Sequence, residues 1–159
     1  MVGRLALVAA VAAGGLAGCG GGDAGPSRAE FAKQADGVCG PALTKLRKIS
    51  ARIDEVAAGN DPGPIFRLSA KLIRQSQGVT TRTFDRISAL DQPPGDRDAI
   101  KGWVADNRRQ NALAGELASA FEAQDQKRIA LVSERIDALN TKNNAFAKTF
   151  GMKVCAEQI

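Results

Sequence analysis

Beyond residue 27 the apolar positions recur in steps of three and four. Phe31, Ala35, Val38, Ala42, Leu46, Ile49, Ile53 and Val56 form one such series, the spacing of a single helical face. Ser27 with Glu30 three residues on matches a capping box and starts the helix. Gly37, Gly40 and Pro41 interrupt it. Pro41 has no backbone donor and crowds the preceding turn, which predicts a kink or a short break. Gly59-Asn60-Asp61-Pro62-Gly63-Pro64 reads as the turn that follows. A second helix is predicted over about 64–90, with Ile65, Leu68, Leu72, Val79, Ile87 and Leu90 as its stripe and Ser76 and Thr83 filling the gaps. Pro93-Pro94-Gly95 ends it. A third, over about 96–123, carries Ile100, Trp103, Val104, Ala114, Leu117, Ala118 and Phe121. Asp96 and Asp98 suit its positive N-terminal end. Asp125 can cap a fourth, with Ile129, Val132, Ile136, Leu139, Phe146 and Phe150, and Gly151 reads as a left-handed C-cap with Met152 folding back.

The chain has few β-branched runs, no strict alternation and no Asn-Gly hairpin signal, so no strand is expected. Four helices of about 25 residues joined by short turns predict an all-α, up-down-up-down four-helix bundle with a kinked first helix. That topology puts the start of the first helix and the end of the fourth at one end.

The first 26 residues follow a different rule. Arg4 and the apolar run 5–16 have the proportions of a signal peptide, and the run is too short to span a bilayer. Leu16-Ala17-Gly18-Cys19 then resembles the bacterial lipobox: an aliphatic residue, two small ones, and a Cys. The resemblance implies a lipoprotein signal peptide over residues 1–18, cleavage before Cys19, and lipidation of its sulfur with acyl chains such as palmitate. Only a thiol makes the thioether, and two or three acyl chains anchor stably where one binds marginally. Gly20-Gly21-Gly22-Asp23-Ala24-Gly25-Pro26 completes a flexible tether over 19–26. Fully stretched it reaches about 26–29 Å, so a bundle domain over 27–159 would stay near the membrane.

Three Cys in an exported chain leave an odd thiol to explain. With Cys19 taken by lipid, Cys39 and Cys155 remain as a pair near the two ends of the folded part. An oxidising compartment and the shared end of the bundle predict a disulfide between them. The alternatives are two buried free thiols, or a metal site, for which two Cys without a His are a poor ligand set. The segments Phe31-Ala32-Lys33-Gln34-Ala35-Asp36-Gly37-Val38-Cys39 and Gly151-Met152-Lys153-Val154-Cys155, with a Pro-Pro turn before a Trp-bearing helix, resemble small, uncharacterised helical lipoproteins of high-GC actinobacteria. That resemblance implies a location and a fold, and no reaction; Gly40-Pro41 departs from the unbroken first helix it would imply.

Composition narrows the chemistry. The 159 residues include no His and no Tyr, and aromatics are 4%. The usual general base and zinc ligand are therefore absent, and no His is present to activate a Ser or Thr nucleophile, so an enzyme would need a carboxylate or Ser-Lys constellation in a cleft. Asp54 and Glu55 are adjacent and point to different faces of a helix, so they form no acid–base pair. No catalytic residue, cofactor or metal is expected. Two non-catalytic sites are candidates. Asn107, Asn111 and Asn143 fall on core stripes at a common height with Thr80 and Thr83. Such a level either binds a small polar ligand or fixes helix register internally. Arg67, Lys71, Arg74, Arg82 and Arg86 form a basic stripe along the second helix, joined by Lys45, Arg47, Lys48 and Arg52 on the first. It either meets an anionic surface or is an ordinary solvated face. Removing Arg4 leaves 21 basic residues against 17 acidic. Nucleic acid is a poor partner for an exported chain without interleaved aromatics.

The expectation is a lipid-anchored protein on the outer face of the cytoplasmic membrane, a non-enzymatic interaction module contacting an envelope protein or anionic polymer. The alternative is a small-ligand binder using the polar level. The anchor is testable directly: Cys19→Ala should move the protein out of the membrane fraction or stall its processing, and unchanged membrane partition would exclude lipidation at Cys19.

Overall fold

The computed structural model describes residues 25–58 and 62–157. The predicted signal peptide, the lipobox with Cys19, and the centre of the first turn, Gly59-Asn60-Asp61, lie outside the described residues. Within them the chain is helical: α1 (Arg28–Ala57), α2 (Pro62–Ser88), α3 (Arg97–Glu122) and α4 (Gln126–Phe150), with a short 3-10 turn at Pro94–Asp96 before α3. Each helix packs along its neighbour in sequence, whereas α1 and α4 share no packed seam of their own. The result is the expected four-helix bundle, open along one side.

The caps follow from local chemistry. Ser27 Oγ accepts from Glu30 N at 3.3 Å while Glu30 Oε2 accepts from Ser27 N at 2.8 Å, a closed capping box. Asp125 accepts from Arg128 N at 3.0 Å. Gly151 has φ 94°, and α4 ends in paired bonds from Gly151 N to Lys148 O and Met152 N to Ala147 O. That is a Schellman closure, and it drops Met152 into the core at 0% exposure. Asp96 stands at the N-terminal end of α3, as expected. It makes no capping bond; its carboxylate instead takes a two-pronged hydrogen bond from Arg28, which holds the Asp96 carboxyl below its ordinary value. Arg28 also lies 4.9 Å over the Phe150 ring. One guanidinium thus joins the starts of α1 and α3 to the end of α4.

α1 runs on through Gly37, Gly40 and Pro41 without a break. The residue before a proline normally resists helical geometry because its Cβ meets the proline ring. At position 40 there is no Cβ, so the helix passes. Thr44 Oγ1 donates back to Gly40 O at 3.2 Å, a side-chain bond that favours bending.

The apolar core is split. One cluster sits at the end where the chain starts and finishes, and contains Phe31, Ala35, Val38, Ile87, Ile100, Trp103, Ala147, Phe150 and Met152. Its rings interlock: Phe31 meets Phe150 edge-on at 5.7 Å, and Trp103 stacks on Phe146 at 5.7 Å and meets Phe84 edge-on at 5.3 Å. A smaller cluster of Ala70, Ile73 and Ala118, flanked by Ile53, Leu117 and Phe121, sits toward the other end. The predicted α2 stripe is buried at Leu72, Thr83 and Ile87 and misses at Leu68. Leu68 is 44% exposed, and Ser69 and Ala70 take the buried places.

The disulfide joins Cys39 to Cys155 across 116 residues, with Cα atoms 5.3 Å apart. Asp36, one turn earlier on α1, supports it. Its Oδ2 accepts from Lys153 N at 2.8 Å, and its Oδ1 from Val154 N at 2.9 Å and Cys155 N at 3.0 Å. Successive N–H groups converge on one carboxylate, an anion-binding nest. The sequence reading gave Asp36 no role.

Closing a loop of this length stabilises the fold by about 4–5 kcal/mol in the chain-entropy account. Reduction, or Cys39→Ala with Cys155→Ala, should lower the urea midpoint accordingly; an unchanged midpoint would show that the bond constrains nothing. Asp36→Ala should cost about 2–3 kcal/mol by stranding three backbone donors, read by the same urea titration with the disulfide intact.

Candidate functional site

The missing seam between α1 and α4 becomes a cleft that reaches the middle of the bundle between the two apolar clusters, with a volume of about 370 Å³. Its walls differ in kind. α1 contributes Ala42, Leu43, Leu46, Ile49 and Ile53, an almost wholly apolar face broken by Ser50. α2, α3 and α4 contribute Ser76, Thr80 and Thr83, then Asn107, Gln110 and Asn111, then Asn140 and Asn144. Phe84, Ala114 and Ile136 lie among these polar groups, and the disulfide forms part of the lining. Asp137 and Glu157 are the charged lining residues; Glu157 is paired with Arg47.

The α1 wall exists because that helix carries apolar residues that its neighbours cover only in part. On α1 the fully buried positions stop at Leu43, and Leu46, Ile49, Ile53 and Val56 are half-buried. Opposite them, several amides have hydrogen-bonding capacity to spare. Asn107 Nδ2 donates to Trp103 O at 2.9 Å, leaving Oδ1 without a donor. Asn144 Nδ2 donates to Asn140 Oδ1 at 3.2 Å, leaving Asn144 Oδ1 and Asn140 Nδ2 open. Gln110 Oε1 accepts from Asn143 Nδ2 at 2.9 Å, leaving Gln110 Nε2 open. The Thr80 hydroxyl has no partner among the described residues, whereas Thr83 Oγ1 donates to Val79 O at 2.9 Å. No fully buried side-chain polar atom among the described residues lacks a hydrogen bond, so these open groups are ones the solvent-filled cleft can reach.

The predicted polar level therefore divides. Thr80, Thr83, Asn107 and Asn111 line the cleft. Asn111 also stitches α2 to α3: its Nδ2 donates to Thr81 Oγ1 at 2.9 Å while Gln77 Nε2 donates to Asn111 O at 2.8 Å. Gly115 makes room for that bond, since a Cβ there would lie 2.7 Å from Gln77 Nε2. Asn143 lies outside the lining. It is 3% exposed, and its backbone carbonyl accepts from Trp103 Nε1 at 3.1 Å. The Asn143 side chain donates to Gln110 of α3, and Asn144 and Asn140 line the cleft in its place. Gln110, Asn140 and Asn144 were not singled out from the sequence. The signal was there in the spacing, since Gln110 follows Asn107 by three residues and Asn144 follows Asn140 by four, each pair sharing one helical face.

The predicted basic stripe also divides. Arg74 turns to α3, where Nε and Nη2 meet Glu122 at 3.0 and 2.9 Å and Nη2 meets Ser119 Oγ at 3.3 Å. Those bonds hold the Glu122 carboxyl below its ordinary value. Arg67, Lys71, Arg82 and Arg86 are exposed or open to solvent and make no ion pair among the described residues. No group of three or more Cys, Asp or Glu side chains among the described residues converges on a metal-sized site. No described helix is long and apolar enough to cross a membrane. No family model, curated protein or solved structure matches this chain.

Proposed function

We propose that this chain is a lipid-anchored binding protein of the bacterial envelope that holds a small amphiphile in the cleft between α1 and α4. The observation that carries the reading is the two-faced lining: an apolar wall of Leu43, Leu46, Ile49 and Ile53 facing open amide and hydroxyl groups on the other three helices. A pocket of about 370 Å³ falls in the range of small-molecule sites. At roughly 30 Å³ per water-sized group it accommodates about a dozen non-hydrogen atoms. The lining selects on charge as well. Its ionisable side chains are Asp137 and Glu157, the latter paired with Arg47, and among the described residues no Lys or Arg lines it, which disfavours an anion; the open amides and hydroxyls suit a molecule with hydrogen-bonding groups at one end. The lipobox resemblance supplies the anchor and the location. A chain without His supports binding rather than turnover as the role.

The neutral, solvatochromic naphthalene ketone prodan tests the site. The full chain should shift prodan emission to the blue, saturably and with one site. Leu46→Trp, which fills the apolar wall from a half-buried position, should weaken that binding by tenfold or more while leaving helicity unchanged. Absence of saturable binding, or binding indifferent to Leu46→Trp, would overturn the proposal.

A further inference from the structure

The charge on this bundle is segregated between its faces. Between Asp36 and Asp54 on α1, and between Asp61 and Asp85 on α2, the sequence has no acidic residue. Within or next to those stretches, Lys45, Lys48, Arg52, Arg67, Lys71, Arg82 and Arg86 make no ion pair among the described residues. On α3 and α4 both signs are interspersed: Lys101, Arg108, Arg109, Arg135 and Lys142 each have a carboxylate partner, while Arg97, Lys127, Arg128 and Lys148 make no ion pair among the described residues. The unpaired cations of α1 and α2 also share a surface. Lys45, Lys48 and Arg82 line one shallow, open groove between α1 and α2, together with Gln75 and Gly78. Arg67, Lys71, Gln75, Gly78, Arg82 and Arg86 follow one another at steps of four, four, three, four and four, one line along a helix. That line is about 28 Å long at 1.5 Å per residue.

We propose that this α1–α2 face docks onto an anionic phospholipid surface, so that the bundle lies along the membrane with the ligand cleft turned elsewhere. The argument rests on charge complementarity and extent. A long double row of unpaired cations over a shallow groove matches a planar array of phosphates better than a single enclosed anion. The inference stands independently of the cleft and its ligand. The predicted tether of residues 19–26 is long enough, at about 26–29 Å stretched, to let a bundle anchored at Cys19 lie down.

The test uses the full, processed chain with vesicles of phosphatidylcholine alone or with phosphatidylglycerol at three to one. Surface lysines are acylated briefly and read by mass spectrometry. Lys45, Lys48 and Lys71 should be protected at least threefold in the anionic vesicles, and Lys101, Lys127 and Lys148 should not. Salt at 1 M, where screening shortens to about 3 Å, should abolish the difference. Each well-placed cation contributes about fivefold to partition, so the triple variant K48E/K71E/R82E should lose the protection entirely. Equal labelling in the two vesicles, or protection spread evenly over all six lysines, would overturn the proposal. So would protection of the same lysines by soluble polyphosphate with none from the anionic vesicles, which would assign the face to a polymer. Failure of the anchor reads out separately, as a chain that floats with anionic vesicles and not with phosphatidylcholine alone.

Discussion

The fold depends on how α1 is fastened. α2, α3 and α4 hold one another through continuous seams, and α1 packs along α2 alone. What brings α1 against the end of α4 is a knot at one pole: the Cys39–Cys155 bond, the Asp36 carboxylate on three backbone N–H groups, and Arg28 bridging Asp96 and Phe150. The knot works because the C-terminal segment after Gly151 turns back over α1 instead of continuing α4. With the pole closed, the aromatic cluster of Phe31, Trp103, Phe146 and Phe150 forms between the helix ends. The opposite pole has the smaller cluster around Ala70, Ile73 and Ala118 and a Phe66–Phe121 contact at 5.9 Å. A molecule fastened at one end and paired around three sides leaves its fourth side open, and the cleft follows.

That geometry reconciles two facts about the interior that conflict in a fully packed bundle. Amides on core stripes are costly to bury without partners, yet Asn107, Gln110, Asn111, Asn140 and Asn144 all face inward. Each makes a hydrogen bond to its own helix or to a neighbour, and its spare capacity faces the cleft. Asn143, which is sealed off, has its amide donor satisfied by Gln110. The same division holds for charge. Some cations are paired across helices, as Arg74 is with Glu122. Within the acid-free stretches of α1 and α2, Arg47 and Arg74 reach carboxylates on other segments, Glu157 and Glu122, while Lys45, Lys48, Arg52, Arg67, Lys71 and Arg82 make no ion pair among the described residues.

Much of this was legible in the sequence. The capping box at Ser27, the cap at Asp125 and the left-handed Gly151 are local signals, and each helix end falls within a few residues of its predicted place. The disulfide was legible because counting Cys and counting helices led to the same end of the bundle. Two things were not. Which of two adjacent asparagines faces inward depends on the rotation of α4 against α3, and a one-residue shift exchanges Asn143 for Asn144. The role of Asp36 depends on a backbone turn over a hundred residues away, and no local pattern signals that contact. The α2 stripe missed at Leu68 for a related reason: the rotation of α2 turns the small neighbours Ser69 and Ala70 inward instead.

The uneven burial along α1 also shapes its dynamics. Up to Leu43 the helix is held by fully buried side chains, a covalent bond and a buried neighbourhood; beyond it, every inward residue is half-exposed and the helix has a proline behind it. Amide hydrogen exchange would divide such a helix into two classes, one opening only with global unfolding and one through local, sub-global excursions. The second class forms the apolar wall of the cleft. The wall that lines the cleft is thus the part of α1 held by the fewest buried side chains, whereas the part at the closed pole is held by the disulfide and the aromatic cluster.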